Sequence, residues 1–333
     1  MSRGEAADLL RVDVSKFNHR YGGAAVDLGG VDLEGAALSG AALGKACLDG
    51  ANLRRASLEG CDLRGASFAG AHLDGASMVG CHLAEARFQG PCGDAVLLSG
   101  CHLGGAALGA IRGRGWRLRE VNFAGAELTD IEWTEAELHS VVLTGATLRR
   151  VAIGGKFARE IDASRGNWEE VDLRVAVIDG LDLSAARIGR LSFEKLLLRR
   201  LRCVGTRATR IEGRECLWKE AELIAAEIET LDFAKCGAQG VVIRGSRLGR
   251  VSWNGAEHIG VYLESSTITR LELAGAWLAN LVATGSQIGL GETTGLHLGG
   301  TIRIAACPGL GQLHHGAARL GKTVVVVDGT TLP

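Results

Sequence analysis

Ala36 to Gly90 reads AALSG AALGK ACLDG ANLRR ASLEG CDLRG ASFAG AHLDG ASMVG CHLAE ARFQG. In all 11 pentads an Ala or Cys is followed two residues later by Leu, Phe or Met, and Gly closes 8 of them. A helix repeats its apolar face about every 3.6 residues and a strand about every 2, so a sustained period of five belongs to neither element continued for long. It fits a short extended segment, whose first and third residues face the same way, followed by a corner.

The same rhythm runs outward in both directions. From Leu28 to Leu298 in steps of five, 44 of 55 residues are Leu, Ile, Phe, Met or Trp, and two places earlier, from Val26 to Leu296, 47 of 55 are apolar and mostly small. Two inward rows therefore span the chain, and the register holds throughout, so any excursion contains a multiple of five residues. The pattern, Ala or Cys, then a polar residue, then Leu or Phe, resembles the A(D/N)LXX consensus of the pentapeptide-repeat family over about five-sixths of the chain. That resemblance implies an all-β, right-handed quadrilateral parallel β-helix with four pentads per coil. Recurrences at twenty residues agree with it: Cys61, Cys81 and Cys101, Cys216 and Cys236, and pairs of arginines. The expected organisation is an N-terminal cap over 1–23, a β-helix of about 14 coils over 24–300 (regular over 24–153, divergent over 154–300), and a C-terminal cap or dimerisation segment over 301–333.

Irregular coils are expected where inward positions hold Pro, Gly, Lys or Thr: Pro91 to Gly93, Arg112 to Gly115, Lys156 to Gly166 and Thr206 to Gly213. Trp133, Trp168, Trp218 and Trp253 fall on the central inward row, and Trp218 follows Ala208 and Gly213, so one indole is expected to fill space that two small residues vacate. Leu9, Leu10, Val12, Val14 and Phe17 supply the N-terminal segment with apolar surface to lay on the first coil. Lys322 to Val327 reads as a β-strand that closes the stack or pairs with a second copy.

The 333 residues are 47% hydrophobic but only 5% aromatic, and 37 Lys and Arg against 38 Asp and Glu give a net charge of -1. Such balance selects neither a nucleic-acid binder nor a strongly acidic protein. No apolar run has the length of a signal peptide or a membrane span, and nine cysteines spread through a long chain read as reduced thiols. The expected location is cytoplasmic.

Chemistry-bearing motifs are scarce. There is no phosphate loop, HExxH helix or CxxC pair, and the many Gly-x4-Gly matches follow from the five-residue period itself. The Cys81-His82 and Cys101-His102 pairs do not make a metal site, because adjacent residues of an extended pentad point to opposite sides. His314 and His315 lie outside the repeats and read as a solvated turn. His258 falls on the central inward row, which predicts a neutral buried imidazole. No catalytic residue, metal or cofactor is assigned.

The outward charges sort into two adjoining rows. One is acidic, with Asp32, Glu34, Asp74, Glu132, Glu135, Asp172, Glu212, Asp232 and Glu272; the other is a ladder of Arg187, Arg190, Arg207, Arg210, Arg247, Arg250 and Arg270. Both are candidate surfaces for a protein partner. The family resemblance implies a non-enzymatic interaction scaffold or adaptor, some members being associated with bacterial secretion systems. It also implies an alternative, a DNA mimic that binds DNA gyrase or topoisomerase IV and protects against their poisons. Mimicry needs an unbroken negative surface in place of phosphates, and Arg54, Arg55, Arg112, Arg114 and Arg214 interrupt the acidic row. Direct binding to nucleic acid or membrane is not expected; a homodimer through the C-terminal segment is.

Overall fold

Leu38 to Ala41 show how one side of a coil is made. Ala41 N–H donates to Leu38 O at 3.2 Å across a tight turn, and Gly40 within it has φ +70°, in the left-handed region. Leu38 N–H and Gly40 N–H then donate to Ser57 O and Glu59 O of the next coil, and Ala37 bridges Ser57 in parallel. Twenty residues thus return the chain to the same point one coil on, in four sides of five. Lys45 and Glu85 hold the same left-handed corner, at φ 60° each, where an L-residue costs about 1–2 kcal/mol relative to glycine. Stacking on both neighbouring coils holds them there. The computed structural model describes residues 3–90, 93–310, 313 and 317–332. Within them the chain is an all-β parallel solenoid of about 13 coils with little helix, which is the fold class that the resemblance to pentapeptide repeats implies. Late in the chain the strict register shifts between Ile288 and Leu290, and the coil count is about 13 rather than the expected 14. The chain divides into two compact units, Met1–Asn167 and Trp168–Pro333.

The first unit begins with two helices, α1 (Arg3–Val12) and α2 (Val14–Tyr21). Asp13 caps α2, its carboxylate accepting from Lys16 N–H at 2.9 Å. Leu10 and Phe17 are fully buried, whereas Val12 points to solvent. The helices are tied to the first coils through polar ends: Arg3 pairs with Asp27 at 2.6 Å and Arg11 donates to Asp32 O at 2.9 Å. Asn18 donates to Gly40 O and accepts from Ala42 N–H, both at 2.8 Å, as a strand backbone would. Satisfying those groups matters because the first coil has no earlier coil to pair with.

The core holds the two expected rows. Leu28 through Leu83 on the central row and Ala41 through Ala86 on the small row are essentially inaccessible. Arg112–Arg114 pairs Glu132–Thr134 in register, so the bulge expected there does not form. The reason is Trp116, which sits on the small row but swings its indole over Gly113 and donates from Nε1 to Gly93 O at 2.9 Å. One large side chain fills what two glycines leave open. Pro91 and Cys92 lie outside the described residues. At 155–157 the expected irregularity does occur: Ala136 pairs Gly155, Glu137 pairs Phe157, and Lys156 is ejected to solvent from an inward position. A Cβ at Gly155 would meet Ala136 O at 2.0 Å, so only glycine permits this bulge.

In the second unit, pairing runs without a shift from Arg187–Glu194 through Thr267–Glu272, each strand twenty residues from the next. The irregularity expected at Thr206 to Gly213 is absent. Thr206, though inward, donates its hydroxyl to Leu183 O at 2.8 Å and needs no bulge to reach a partner. Ser246 does likewise with Leu223 O, and Ser266 with Glu264 O. Gly213 stands opposite Phe193, and a Cβ there would meet Phe233 Cε1 at 2.4 Å; Trp218 packs edge-on against Phe193 and Phe233. The room that Gly213 releases is taken by the Phe233 ring, against which the Trp218 indole packs, rather than by the indole itself. Trp133, Trp168, Trp218 and Trp253 are all buried. Toward the end the offset grows to 21, as Val282 pairs Arg303, and to 23, as Thr301 pairs Val324. Strand Ala318–Val327 then turns back through Thr330–Leu332, which pairs antiparallel with Val325–Val327 and occupies that edge.

Candidate interaction surface

Between the two inward residues of a pentad one side chain faces out, and in-register stacking lines these up in columns whose members are about 4.8 Å apart. Columns of charge meet at the corners. Arg190 and Arg210 occupy one corner of the second unit in successive coils, and Glu212 begins the side that follows. Arg210 reaches Glu212 two residues on within its own coil at 2.7 Å; Arg190 reaches it from the coil before, also at 2.7 Å. Three coils later the arrangement recurs, with Glu272 held by Arg250 at 2.9 Å and Arg270 at 3.0 Å. Both carboxylates are only 8% exposed. Burial pushes the Glu212 carboxyl up, but the two guanidiniums outweigh it and hold it below its ordinary range. For Glu272 the Arg250 hydrogen bond leads, and the direction is the same. Glu212 and Glu272 are thus fixed anions between forks whose outer faces stay in solvent.

Arg207 and Arg247 of the ladder are also tied down. Arg207 bonds Glu227 at 3.1 Å and Arg247 lies 3.8 Å from the same carboxylate, while Arg187 stacks in register beside Arg207. Asp172 accepts from Ser192 and lies 3.7 Å from Arg190; Asp232 accepts from Ala234 N–H. In the first unit Glu34 pairs with Arg55, Asp74 with Arg54, Glu132 with Arg112 and Glu135 with Arg114, at 2.7 to 3.5 Å. Asp32 accepts from Asn52 at 2.9 Å. In the second unit the acidic row and the arginine ladder therefore interlock at Asp172, Glu212 and Glu272, and in the first unit the acids pair with arginines outside the ladder. The spacing that creates it, an arginine two and twenty-two residues before a glutamate, is visible in the sequence once the coil length is known.

Among the buried titratable groups, burial leads at Cys203 and His258, while the contact with Cys81 leads at Cys61 and Cys101. Contact with Cys81 and burial push the Cys61 and Cys101 thiols well above their ordinary range, and burial pushes Cys203 up to about 12. Cys61 donates to Leu38 O at 2.8 Å and Cys101 to Met78 O at 3.2 Å. His82 and His102 face out and stack, with ring centroids 5.5 Å apart, so thiols and imidazoles do point to opposite sides. His258 is 2% exposed, packs on Trp253 and has no partner for either ring nitrogen; burial lowers its pKa to about 3. A cavity of about 20 Å³ adjoins it, lined by Trp218, Phe233, Cys236 and Trp253 among others. A hollow of about 280 Å³ opens at the surface between Asp179, Arg199, Arg200, Lys219 and Glu220. His314 and His315 lie outside the described residues, and among the described residues no group of three or more His, Cys, Asp or Glu is placed to hold a metal ion. No helix among the described residues is long and apolar enough to cross a membrane.

Eight copies of the unit described as Pentapeptide repeats match the sequence, over residues 24–55, 51–90 and 117–151. The matched stretches are pentapeptide repeats, and most of the unmatched coils keep the same five-residue sides and twenty-residue register up to the shifts near the end of the solenoid. No curated protein matches it. Among solved structures it is similar to HetL, a pentapeptide repeat protein involved in heterocyst differentiation regulation from the cyanobacterium Nostoc sp. strain PCC 7120. The identity is 20%, covering 82% of this chain and 86% of that one, with a TM-score of 0.20. It is also similar to QnrB1, a plasmid-mediated fluoroquinolone resistance protein, at 13% identity over 80% of this chain and 91% of that one, with a TM-score of 0.12.

Proposed function

We propose that the protein is a non-enzymatic, rigid protein–protein interaction scaffold or adaptor, of the kind that serves a bacterial secretion system. One observation carries this reading. From Arg187 to Glu272 the outward side chains are held in register by a ladder without a shift, and many of their charges are already fixed by pairing, as Glu212 and Glu272 are between their arginines. A surface ordered before binding loses little side-chain entropy when a partner docks, which favours protein association. A cytoplasmic location and a homodimer complete the proposal. Val325–Val327 is covered by Thr330–Leu332, so a second copy would pair along the outer edge of that last strand.

The alternative is a DNA-mimicking topoisomerase inhibitor. Its acidic row would have to stand in for phosphates, and here that row is crossed by Arg54, Arg55, Arg112 and Arg114, each bonded to an acid of the row. Titration of the protein into gyrase and topoisomerase IV supercoiling and relaxation reactions, with and without a quinolone, separates the two. The scaffold reading expects no effect at stoichiometric protein. Inhibition or drug protection at that level would replace it with the alternative.

A further inference from the structure

One corner of the second unit changes character along its length. In the earlier coils it carries Asp179, Arg199, Arg200, Lys219 and Glu220, which surround the hollow of about 280 Å³. Arg200 is bonded to Asp179 at 2.7 Å, whereas Arg199 and Lys219, neighbours in the ladder, make no ion pair among the described residues. From the next coil on, the same columns lose charge. Lys219 is followed by Gln239, Ile259 and Ala279, and Glu222 by Val242, Tyr262 and Val282. Between them the corner itself is Gly240 and Gly260, bare backbone that lets another chain approach closely. Ile259 is 39% and Tyr262 49% exposed, with nothing covering them among the described residues. Scattered apolar residues on a surface are ordinary, but a charge-free strip continuous with a cationic notch is not.

We propose that this corner is a docking groove for an extended protein segment that places one carboxylate in the notch and apolar side chains on Ile259 and Tyr262. The proposal rests on the scaffold reading and names its binding face. Arg199 and Lys219 supply the free positive charge for a carboxylate, while Asp179 and Glu220 beside them repel a polyanion and so disfavour a nucleic-acid backbone. The notch lies between the coils of Arg199 and Lys219, and the apolar centre two to three coils further. At about 4.8 Å per coil and about 3.3 Å per extended residue, the acid and the apolar residue of the segment stand three to four positions apart.

The test selects phage-displayed random peptides on the full-length protein, then measures a labelled selected peptide by fluorescence anisotropy. The groove predicts enriched peptides with Asp or Glu three or four positions from an aromatic or branched aliphatic residue. Lys219→Glu and Tyr262→Ser should each weaken binding at least tenfold with an unchanged melting temperature, Ile259→Thr serving in place of a Tyr262 variant that unfolds. A peptide whose acid is changed to lysine should regain binding to the Lys219→Glu protein. Failure to enrich, enrichment without that spacing, or affinity indifferent to these variants overturns the groove. If the variants still capture the wild type's protein partner from cell extract, the scaffold reading survives and the groove falls; if the wild type captures none, both fall.

Discussion

His258 offers a quantitative test of the inward register. Its ordinary pKa of 6.5 is lowered to about 3 by burial, so between those values the unfolded chain binds a proton that the folded chain refuses. Stability therefore falls as the pH drops through this window and is unaffected above it. Linkage puts the loss at about 2 kcal/mol between about pH 7.5 and pH 5, rising to about 4 kcal/mol near pH 3. The paired carboxylates such as Glu212 and Glu272, held below their ordinary range, do not titrate in the upper part of that window. The perturbation is His258→Leu, an apolar residue like Leu278, its ladder neighbour in the next coil. It removes two unpaired nitrogens, each costing about 1–3 kcal/mol when buried. The variant should then be more stable at neutral pH and should lose the acid-dependent part. Urea unfolding followed by tryptophan fluorescence at the two pH values gives both numbers. Equal pH dependence in wild type and variant would refute the buried neutral imidazole.

Four further outcomes follow from the same contacts. Glu212→Gln should destabilise by about 1–2 kcal/mol, since a neutral amide leaves two half-exposed guanidiniums poorly paired; a double-mutant cycle with Arg190→Ala should show coupling, and additive losses would deny the clamp. With its folded-state pKa lowered, the Glu212 contribution is present above the usual carboxylate range and disappears as the pH falls below it, so the Gln variant should narrow its deficit in acid. Gly213→Val should cost at least about 1–3 kcal/mol by driving a side chain into Phe233, and a neutral result by thermal melting would mean that the aromatic cluster is not packed there. Leu63→Asp, which buries a carboxylate, should abolish the first unit's melting transition at its normal temperature; an unchanged melt would remove Leu63 from the core. Light scattering should give a dimer for the full chain and a lighter species for Thr331→Pro, which breaks the free edge of the last strand; a monomeric wild type would end the dimer proposal.

The period of five is enough to place almost every core residue, because packing at a corner-and-side repeat leaves only the first and third positions of a pentad inward. What the period does not contain is how mismatched volumes are absorbed. Gly93 and Gly113 look like breaks until Trp116, from the other row, swings across both. Thr206 looks misplaced until Leu183 O accepts its hydroxyl. Lys156 does break the row, since an ammonium has no such buried acceptor and must leave the core. The surface is legible only in part. Sorting charges by coil position separates an acidic row from an arginine ladder, but arginine is long enough to cross a corner and a coil, so the two rows interlock at Glu212 and Glu272. The apolar corner at Ile259 and Tyr262 has no signature in the sequence because its columns contain no motif; only the exposure of those side chains reveals it.

The central claim is that this solenoid works by holding a protein partner. Native mass spectrometry of the full chain, captured with its bound proteins from an extract of its own cells, tests that most directly. The account predicts a defined assembly with a protein other than a topoisomerase subunit at a fixed ratio. A chain recovered alone, or with gyrase or topoisomerase IV, would contradict it.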